Sequence, residues 1–471
     1  MSCKFQIMET SPLLSILQIM PKESLRALEK FVQSPYHVTH SGVPLLLAHL
    51  KSILPQPSAL RLGKEAIAEA LGEPDARRVY HLTNYLLEAV EQFLAQERWE
   101  QQPHDRHLAT VEALRQLRLA EASAGMLRYA RKRLEADAHR GVDYHRSNYR
   151  LHLEAYYLSQ QQGRAKSFNG QELSDAQDVA FISEKLRTGC LLLSHQAVSK
   201  RQYDNGLLDS VLQFLKDHPY LEIPAVAVYY HGYFAQLGEN SDHHFQRLKV
   251  LLEAHAMHFA LAEMHDLYLM AINFCIRQIN QAKEKYLREI FDLYQSGLQH
   301  GALLEDGVLS RWTYNNITAT GLRLREFDWV RQFLHEFAPF LPNNHREGTF
   351  SFNLARYYYD VGDYAQAMQH LLRREYDDVL QNLLAKVILC KIYYALGETD
   401  TLENQIDSIQ IYLRRKKVLG YHRDNYLAIV RFLRKLLQHV PHDRDKTQLL
   451  RQEIVQAPVL TEREWLLRQL E

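Results

Sequence analysis

The chain has 471 residues, of which 46% are hydrophobic and 24% are charged. Its 56 Lys and Arg balance 56 Asp and Glu, so no global field draws the chain to nucleic acid or to a membrane surface. The content of Gly, Pro and aromatic residues excludes a collagen-like or disordered chain. The length suits about three domains or one elongated array.

The cysteines and the N-terminus indicate a cytoplasmic protein. The four cysteines, Cys3, Cys190, Cys275 and Cys390, are scattered singly, without the close spacing of a zinc-ligand set or a redox motif. We therefore expect thiols that stay reduced. The first residues lack the pattern of a signal peptide, and no window approaches eighteen apolar residues without a charge. Neither a leader nor a membrane-spanning helix is expected.

Proline placement gives a first map of the helices, because a proline inside a helix removes a hydrogen bond. Eight of the 14 prolines lie between Pro12 and Pro103, and long proline-free runs without strand patterning follow. Within the first hundred residues we predict four helices, over 22–33, 43–54, 64–71 and 75–98. The last of these has an apolar stripe at helical spacing, formed by Val79, Leu82, Leu86, Val90 and Phe93.

The same map divides the chain at Pro103, near position 225 and near Pro441. Four helical parts result: an N-terminal helical domain or cap over 1–103, a long-helix segment over 104–225, helical repeats over 226–440 and a C-terminal cap over 441–471. In the cap, Thr461 and Glu464 have the spacing of a capping box that starts a helix.

The region 226–440 contains an internal repeat with a period of 35 residues. At this shift the segment 350–372 falls on 384–406, which aligns Leu354 with Leu389, Tyr358 with Tyr393, Gly362 with Gly397 and Asp363 with Glu398. A further step back aligns Asp328 with Asp363 and puts Phe327 in the place of the glycine. The period is close to that of a helix-turn-helix repeat of 34 residues.

This segment resembles the tetratricopeptide repeat family. Seven positions match the family pattern: Leu354, Ala355, Tyr358, Gly362, Asp363, Tyr364 and Ala367. The layout is also similar to uncharacterised helical-repeat proteins of Bacteroidetes-type bacteria, which brings no activity with it. The resemblance implies an all-α fold, a TPR-like α-solenoid of antiparallel helix pairs with an N-terminal helical domain and a C-terminal capping helix pair.

The resemblance also implies where a partner would bind. In the family, side chains of the first helix of each repeat face a concave groove; here these positions are Phe352, Asn353, Arg356 and Tyr359, followed by Lys391 and Tyr394. The residue types suit peptide recognition, since Arg and Lys pair with carboxylates and Tyr offers a flat ring with a hydroxyl. Ordinary solvated helix residues are the alternative. The first hypothesis is a non-enzymatic, cytoplasmic adaptor or scaffold that binds a protein or peptide.

The second hypothesis is RNA or single-stranded nucleic-acid binding through the basic segment 412–446. This segment contains the run Arg414, Arg415, Lys416 and Lys417, with Tyr412, Tyr421 and Tyr426 interleaved. Cations for phosphates and aromatic rings for base stacking are typical of single-strand binders. A basic helix C-terminus, which favours the helix dipole, explains the run equally.

Other sites are weakly indicated. No catalytic motif, phosphate loop or dinucleotide fingerprint is found, so neither an enzyme nor a cofactor is expected. The set His255, His258, His265 and Asp266 is read as a polar helix face rather than a metal site. Arg77 and Arg78 could open a DNA-reading helix, but acids nearby favour a cap.

Overall fold

The computed structural model describes residues 11–54, 63–73, 75–161, 170–199, 201–238, 240–372, 376, 378–415, 420–439 and 444–471. In these residues the fold is all-α, which confirms the predicted class. The chain forms two compact units, Met1–Asp137 with Asp143–Asp178, and Ala138–Val142 with Val179–Glu471.

The helices up to residue 199 are α1 Pro12–Ile19, α2 Lys22–Val32, α3 Gly42–Ile53, α4 Lys64–Leu71, α5 Ala76–Glu100, α6 Pro103–Gln116, α7 Ala120–Glu135, α8 Val142–Gln161 and α9 Gly170–Ser199. The later helices are α10 Leu208–Asp217, α11 Pro224–Leu237, α12 Ser241–His255, α13 Leu261–Asn280, α14 Tyr286–Gln299, α15 Arg311–Arg323, α16 Phe327–Phe337, α17 Arg346–Asp360, α18 Tyr364–Leu372, α19 Val379–Leu396, α20 Thr399–Arg415, α21 Tyr421–Leu437, α22 Arg444–Gln456 and α23 Arg463–Arg468. A two-residue hairpin, Leu304–Glu305 with Val308–Leu309, is the strand content of the described residues.

The first unit has a core built around α5. The four helices predicted for the first hundred residues are confirmed as α2 to α5, with ends that differ by up to two residues, and α1, which begins at Pro12, was not among the four. The apolar stripe of α5, from Val79 to Phe93, is buried as its spacing predicts, and α1, α2, α3 and α4 pack against this helix. A smaller cluster around Leu108, Leu134 and Leu151 lies further along the chain.

In the second unit each helix from α11 to α20 packs against its successor, and some alternate helices also touch. The pairs α11 and α12, α13 and α14, α15 and α16, α17 and α18, and α19 and α20 pack together, while α17 contacts both α15 and α19. Two apolar clusters meet at α17, because Leu354 belongs to one and Ala355 to the other. Residues on both sides of position 225 contribute to the larger cluster.

The turns after α17 and α19 repeat the same backbone geometry 35 residues apart. Gly362 and Gly397 have φ of 86° and 72°, and the N–H groups of Asp363 and Glu398 donate to the carbonyls of Tyr358 and Tyr393 at 2.9 and 3.0 Å. This left-handed conformation favours glycine, which explains why the sequence echo includes it.

The turn before α16 corrects the predicted third copy. Phe327 does not occupy the glycine place; it is the first residue of α16. The left-handed residue is Arg325, with φ of 59°, and the next N–H, of Glu326, donates to the carbonyl of Gly321 at 2.9 Å. Arg325 is therefore the counterpart of Gly362, and the predicted alignment, which used Phe327, is off by two residues. The turn keeps the same hydrogen bond although it has no glycine.

Among the described residues, α19 is the one helix that is both long and apolar enough to meet the criterion for a membrane span. By length and composition it could cross a membrane, with a mean hydropathy of 1.4, and 56% of it is buried inside the protein. It contains Lys386 and Lys391, whose ammonium groups bind Ser408 and Glu462. Its buried positions pack against neighbouring helices, as in the core helix of a folded protein.

Candidate binding surface

Two helices carry the side chains for which a groove was expected. On α17, Phe352, Arg356 and Tyr359 are spaced by four and three residues, which places them on one face. On α19, Lys391 and Tyr394 are likewise three residues apart. The contact between α17 and α19 brings the two sets together.

Two of the expected groove residues are buried in the interior. Phe352 is 2% exposed and Asn353 is fully buried, so neither offers a surface to a partner. The Phe352 ring contacts Tyr376 edge-on, with centroids 5.4 Å apart. The Asn353 amide donates to Asn315 Oδ1 at 2.6 Å and ties α17 to α15. The groove assignment of Phe352 and Asn353 is therefore wrong, because both side chains make contacts inside the protein.

Arg356 and Tyr359 lie at the edge of this interior and are partly buried. The guanidinium carbon of Arg356 is 5.8 Å from the Phe352 ring centroid. Burial lowers the pKa of Arg356, while the carboxylates of Asp360 and Glu462 oppose that shift. Burial also raises the pKa of the Tyr359 hydroxyl, so this hydroxyl stays protonated. The pair therefore presents one cation and one neutral phenol.

Lys391 is held by the C-terminal part of the chain. Its Nζ lies 2.8 Å from Glu462 Oε2, and the two side chains are 12% and 20% exposed. The same Nζ is 4.9 Å from the Tyr359 ring centroid and 5.7 Å from that of Trp465. An ammonium close to two aromatic rings gains cation–π attraction in addition to the ion pair.

Tyr394 completes the contact with the C-terminus. Its ring meets Trp465 edge-on, with centroids 5.6 Å apart and an interplanar angle of 75°. We call Arg356, Tyr359, Lys391 and Tyr394 the α17–α19 surface, and residues 461–471 the terminal segment. The terminal segment begins where the Thr461 N–H donates to Asn425 Oδ1 on α21 at 2.8 Å.

This arrangement is suited to binding a protein segment that carries an acid and an aromatic ring. Two cations and two phenol rings lie together, and a carboxylate and an indole of the same chain contact them. Glu462 and Trp465 were not among the predicted site residues, and the predicted capping box paired Thr461 with Glu464. The Thr461 side chain makes no such cap, and α23 starts after Glu462 without a side-chain cap bond.

Part of the basic segment pairs with acids of the same chain, and part of it is exposed. Arg414 and Arg415 end α20 and are exposed, whereas Lys416 and Lys417 lie outside the described residues. Further along, Arg434 pairs with Asp407 at 2.6 Å, and Lys435 pairs with Glu453.

The aromatic residues of the basic segment do not form a continuous stacking platform. Tyr421 is 56% exposed, but Tyr426 is 5% exposed and belongs to the core. Tyr412 is partly buried, with the Lys386 ammonium 5.8 Å from its ring centroid. Bases could stack on only one of the three rings in this conformation.

The remaining predicted sites are dispersed. His255 closes α12, His258 follows in a 3-10 turn and His265 lies on α13, so the histidine set is not the single helix face that was expected. No group of three potential metal ligands occurs in the described ranges. Arg77 Nε lies 3.6 Å from Asp75 Oδ1, and Arg78 Nη1 lies 3.7 Å from Glu73 Oε2.

A cavity of about 180 Å³ lies between α9, α11 and α13. Arg187, Ser194, Asp266 and Asn273 give it polar walls, and the buried thiol of Cys190 closes one side. It is smaller than a typical ligand site. Burial raises the pKa of the Cys190 thiol, so it is not an activated nucleophile.

Comparison with known proteins gives no further identification. No family model matches the sequence, and neither a curated protein nor a solved structure matches it.

Proposed function

We propose that this chain is a non-enzymatic adaptor or scaffold of the cytoplasm that binds a protein or peptide through the α17–α19 surface. Its architecture is proposed to be a TPR-like α-solenoid of antiparallel helix pairs, with α22 and α23 as its C-terminal cap. The repeated turn geometry at Gly362 and Gly397 and the packing of alternate helices support this architecture. In such a solenoid α17 and α19 would line the concave face.

One observation supports the functional proposal: the α17–α19 surface contacts the terminal segment of its own chain through an ion pair and an aromatic contact. Lys391 pairs with Glu462, and Tyr394 contacts Trp465, so the surface has the chemistry to hold an acidic and aromatic sequence. Aromatic and charged residues of this kind dominate the energetics of protein interfaces. The surface is built on two helices, which fixes its geometry.

The test is affinity capture of the tagged full-length chain from its native cytoplasm, with partners identified by mass spectrometry. Reversing Arg356 and Lys391 to Glu is expected to abolish capture of a stoichiometric protein while helicity by circular dichroism is kept. A chain with Arg414→Glu and Arg415→Glu is the matched control, since it has the same change in charge at an exposed site.

The same experiment includes the nucleic-acid alternative. Capture is carried out with and without nuclease. Partners that vanish with nuclease, and that depend on Arg414 and Arg415, would favour RNA as the ligand. Protein capture that survives both nuclease and the α17–α19 reversals would remove this surface from the proposal.

A further inference from the structure

We infer that the terminal segment is a built-in ligand of the α17–α19 surface and that the partner presents the same pattern: a carboxylate, an aromatic ring three residues later and an aliphatic side chain next to the ring. In this chain the pattern is Glu462, Trp465 and Leu466. The inference rests on the proposed function and specifies the chemistry of its partner.

The charged contact defines the first requirement. Arg356 and Lys391 face a common region, and Glu462 is the acid of the terminal segment that acts on both. The Lys391 to Glu462 contact of 2.8 Å is a charge-assisted hydrogen bond between side chains that are mostly shielded from water. Asp360 also acts on both cations, so a partner that lacked a carboxylate here would leave one nearby acid facing Arg356 and Lys391.

The aromatic contact defines the second requirement. The Trp465 ring centroid is 5.7 Å from Lys391 Nζ and 5.6 Å from the Tyr394 ring centroid. A phenyl, phenol or indole ring can make these contacts, whereas an aliphatic side chain lacks the quadrupole on which they depend. Leu466 is fully buried directly after the ring and supplies an apolar anchor. Anchors with this spacing are typical of a helix that binds in a groove.

The terminal segment is attached by fewer buried side chains than the helices beneath it. Within residues 461–471 the buried ones are Leu466 and Leu470, while α19 alone buries ten residues. Ala457 and Leu460, just before the segment, are also buried and would keep α22 in place if the segment left. Local release of the segment therefore requires the loss of few core contacts.

Attachment in the same chain makes the segment a competitor of the partner. A tethered ligand has an effective concentration in the millimolar range. The partner can bind only to molecules in which the α17–α19 surface is free, so its apparent affinity falls in proportion to their fraction. A partner with the same pattern binds only when it displaces the segment. The terminal segment thus sets the minimum affinity and concentration that a partner needs in order to bind.

The experiment measures a fluorescein-labelled peptide of residues 457–471 binding to the full-length chain by anisotropy. A chain with Glu462→Gln and Trp465→Ala is expected to bind this peptide at least about tenfold more tightly than the wild-type chain, because its own competitor is weakened. A labelled peptide with Trp465→Ala is expected to lose at least about tenfold in affinity for the same chain.

Two further measurements locate the binding on the α17–α19 surface. A chain with Lys391→Glu is expected to prefer a peptide with Glu462→Lys over the natural peptide, as a swapped ion pair requires. Glu464→Gln in the peptide is the matched control, because Glu464 is exposed on a neighbouring position of the segment, and it is expected to leave the affinity unchanged. Equal binding of all peptides would overturn the inference.

A wild-type measurement covers the case in which the variant chain fails to fold. Excess unlabelled peptide is added to an isotope-labelled wild-type chain, and hydrogen exchange is followed in residues 461–471. Faster exchange there, with unchanged exchange in α17, supports displacement. No change at millimolar peptide contradicts it. A concentration-dependent dimer that the peptide dissociates would also support the pattern, with a second copy of this chain as partner.

The two proposals fail in different ways. If the peptide does not bind, but the Arg356→Glu and Lys391→Glu chain loses its captured protein, the surface binds a partner of other chemistry and only this inference is wrong. If capture survives those reversals, the proposed function is wrong at this surface, whatever the peptide does.

Discussion

Helices α17 to α20 and the terminal segment are in contact, yet different forces hold them. The helices are joined by small and apolar side chains, such as Ala355, Ala367 and Cys390, all fully buried, and by left-handed glycine turns. The terminal segment is held by an ion pair, two aromatic contacts and two leucines. The comparison shows that buried apolar packing joins the helices, whereas polar and aromatic side-chain contacts contribute much of what holds the terminal segment.

The largest expected effect is a loss of stability on substitution of a buried side chain of α17. Phe352→Ala removes a side chain that is 2% exposed and leaves a cavity beside Tyr376. We expect the free energy of unfolding to fall by about 3 to 5 kcal/mol, measured by urea denaturation with circular dichroism. Leu372→Ala, at a position that is 62% exposed, is the control and should change it by about 0.5 kcal/mol or less. A loss below about 1 kcal/mol at Phe352 would contradict its assignment to the interior.

The next effect concerns the glycine turns. Gly362→Ala is expected to cost about 1 to 2 kcal/mol, because φ of 86° is unfavourable for a residue with a Cβ. No atom lies within 4 Å of the added Cβ, so the cost is conformational and not steric. Gly125→Ala inside α7 is the matched control, because its Cβ would meet only the Arg128 guanidinium at 3.9 Å, an ordinary contact, and it should stabilise the protein by about 0.5 to 1 kcal/mol. The same sign at both sites in thermal melts would refute the turn assignment.

A smaller effect is expected in the terminal segment. Glu462→Gln keeps a hydrogen-bond acceptor for Lys391 but removes the ion pair, and we expect a loss of about 1 kcal/mol in stability. Hydrogen exchange should nevertheless rise clearly in residues 461–471. Glu464→Gln, at an exposed position, should change neither quantity. A cost equal to that of Phe352→Ala would mean that the segment belongs to the core.

The smallest expected effect concerns turns in which a residue other than glycine has a left-handed backbone. Arg325 occupies the left-handed position before α16 and is exposed, so its side chain is not needed in the interior. Arg325→Gly is expected to stabilise the protein by about 0.5 to 1 kcal/mol, read from the shift in the urea midpoint. Ala282→Gly, at φ of 61° before α14, should act in the same direction. Destabilisation by both would show that these turns differ from those at Gly362 and Gly397.

The elements that the sequence predicted are those defined by local patterns. The helices α2 to α5 follow from proline positions and the stripe of α5, and the turns at Gly362 and Gly397 follow from glycine. The third turn was displaced by two residues in the prediction because Arg325 adopts the same conformation without a glycine to mark it. A pattern search finds a left-handed turn only where the residue type reveals it.

The candidate surface was only partly predictable, for a physical reason. The family resemblance pointed to α17 and α19, but it could not distinguish Asn353, which bonds Asn315, from Arg356 one turn further along. Glu462 and Trp465 were missed because the Lys391 to Glu462 contact spans 71 residues of sequence. Contacts at such separation depend on the path of the whole chain, and no local periodicity encodes them.

The most direct test of the account is photocrosslinking from the α17–α19 surface in the native cells. A benzophenone amino acid replaces Tyr394 in the full-length chain, and the exposed Leu372 is replaced in a parallel control. The account predicts that position 394 forms an adduct with a partner protein, through a segment that contains an acid and an aromatic ring, and that position 372 does not. Adducts of position 394 only with residues of its own chain, in cells where the partner is captured, would contradict it.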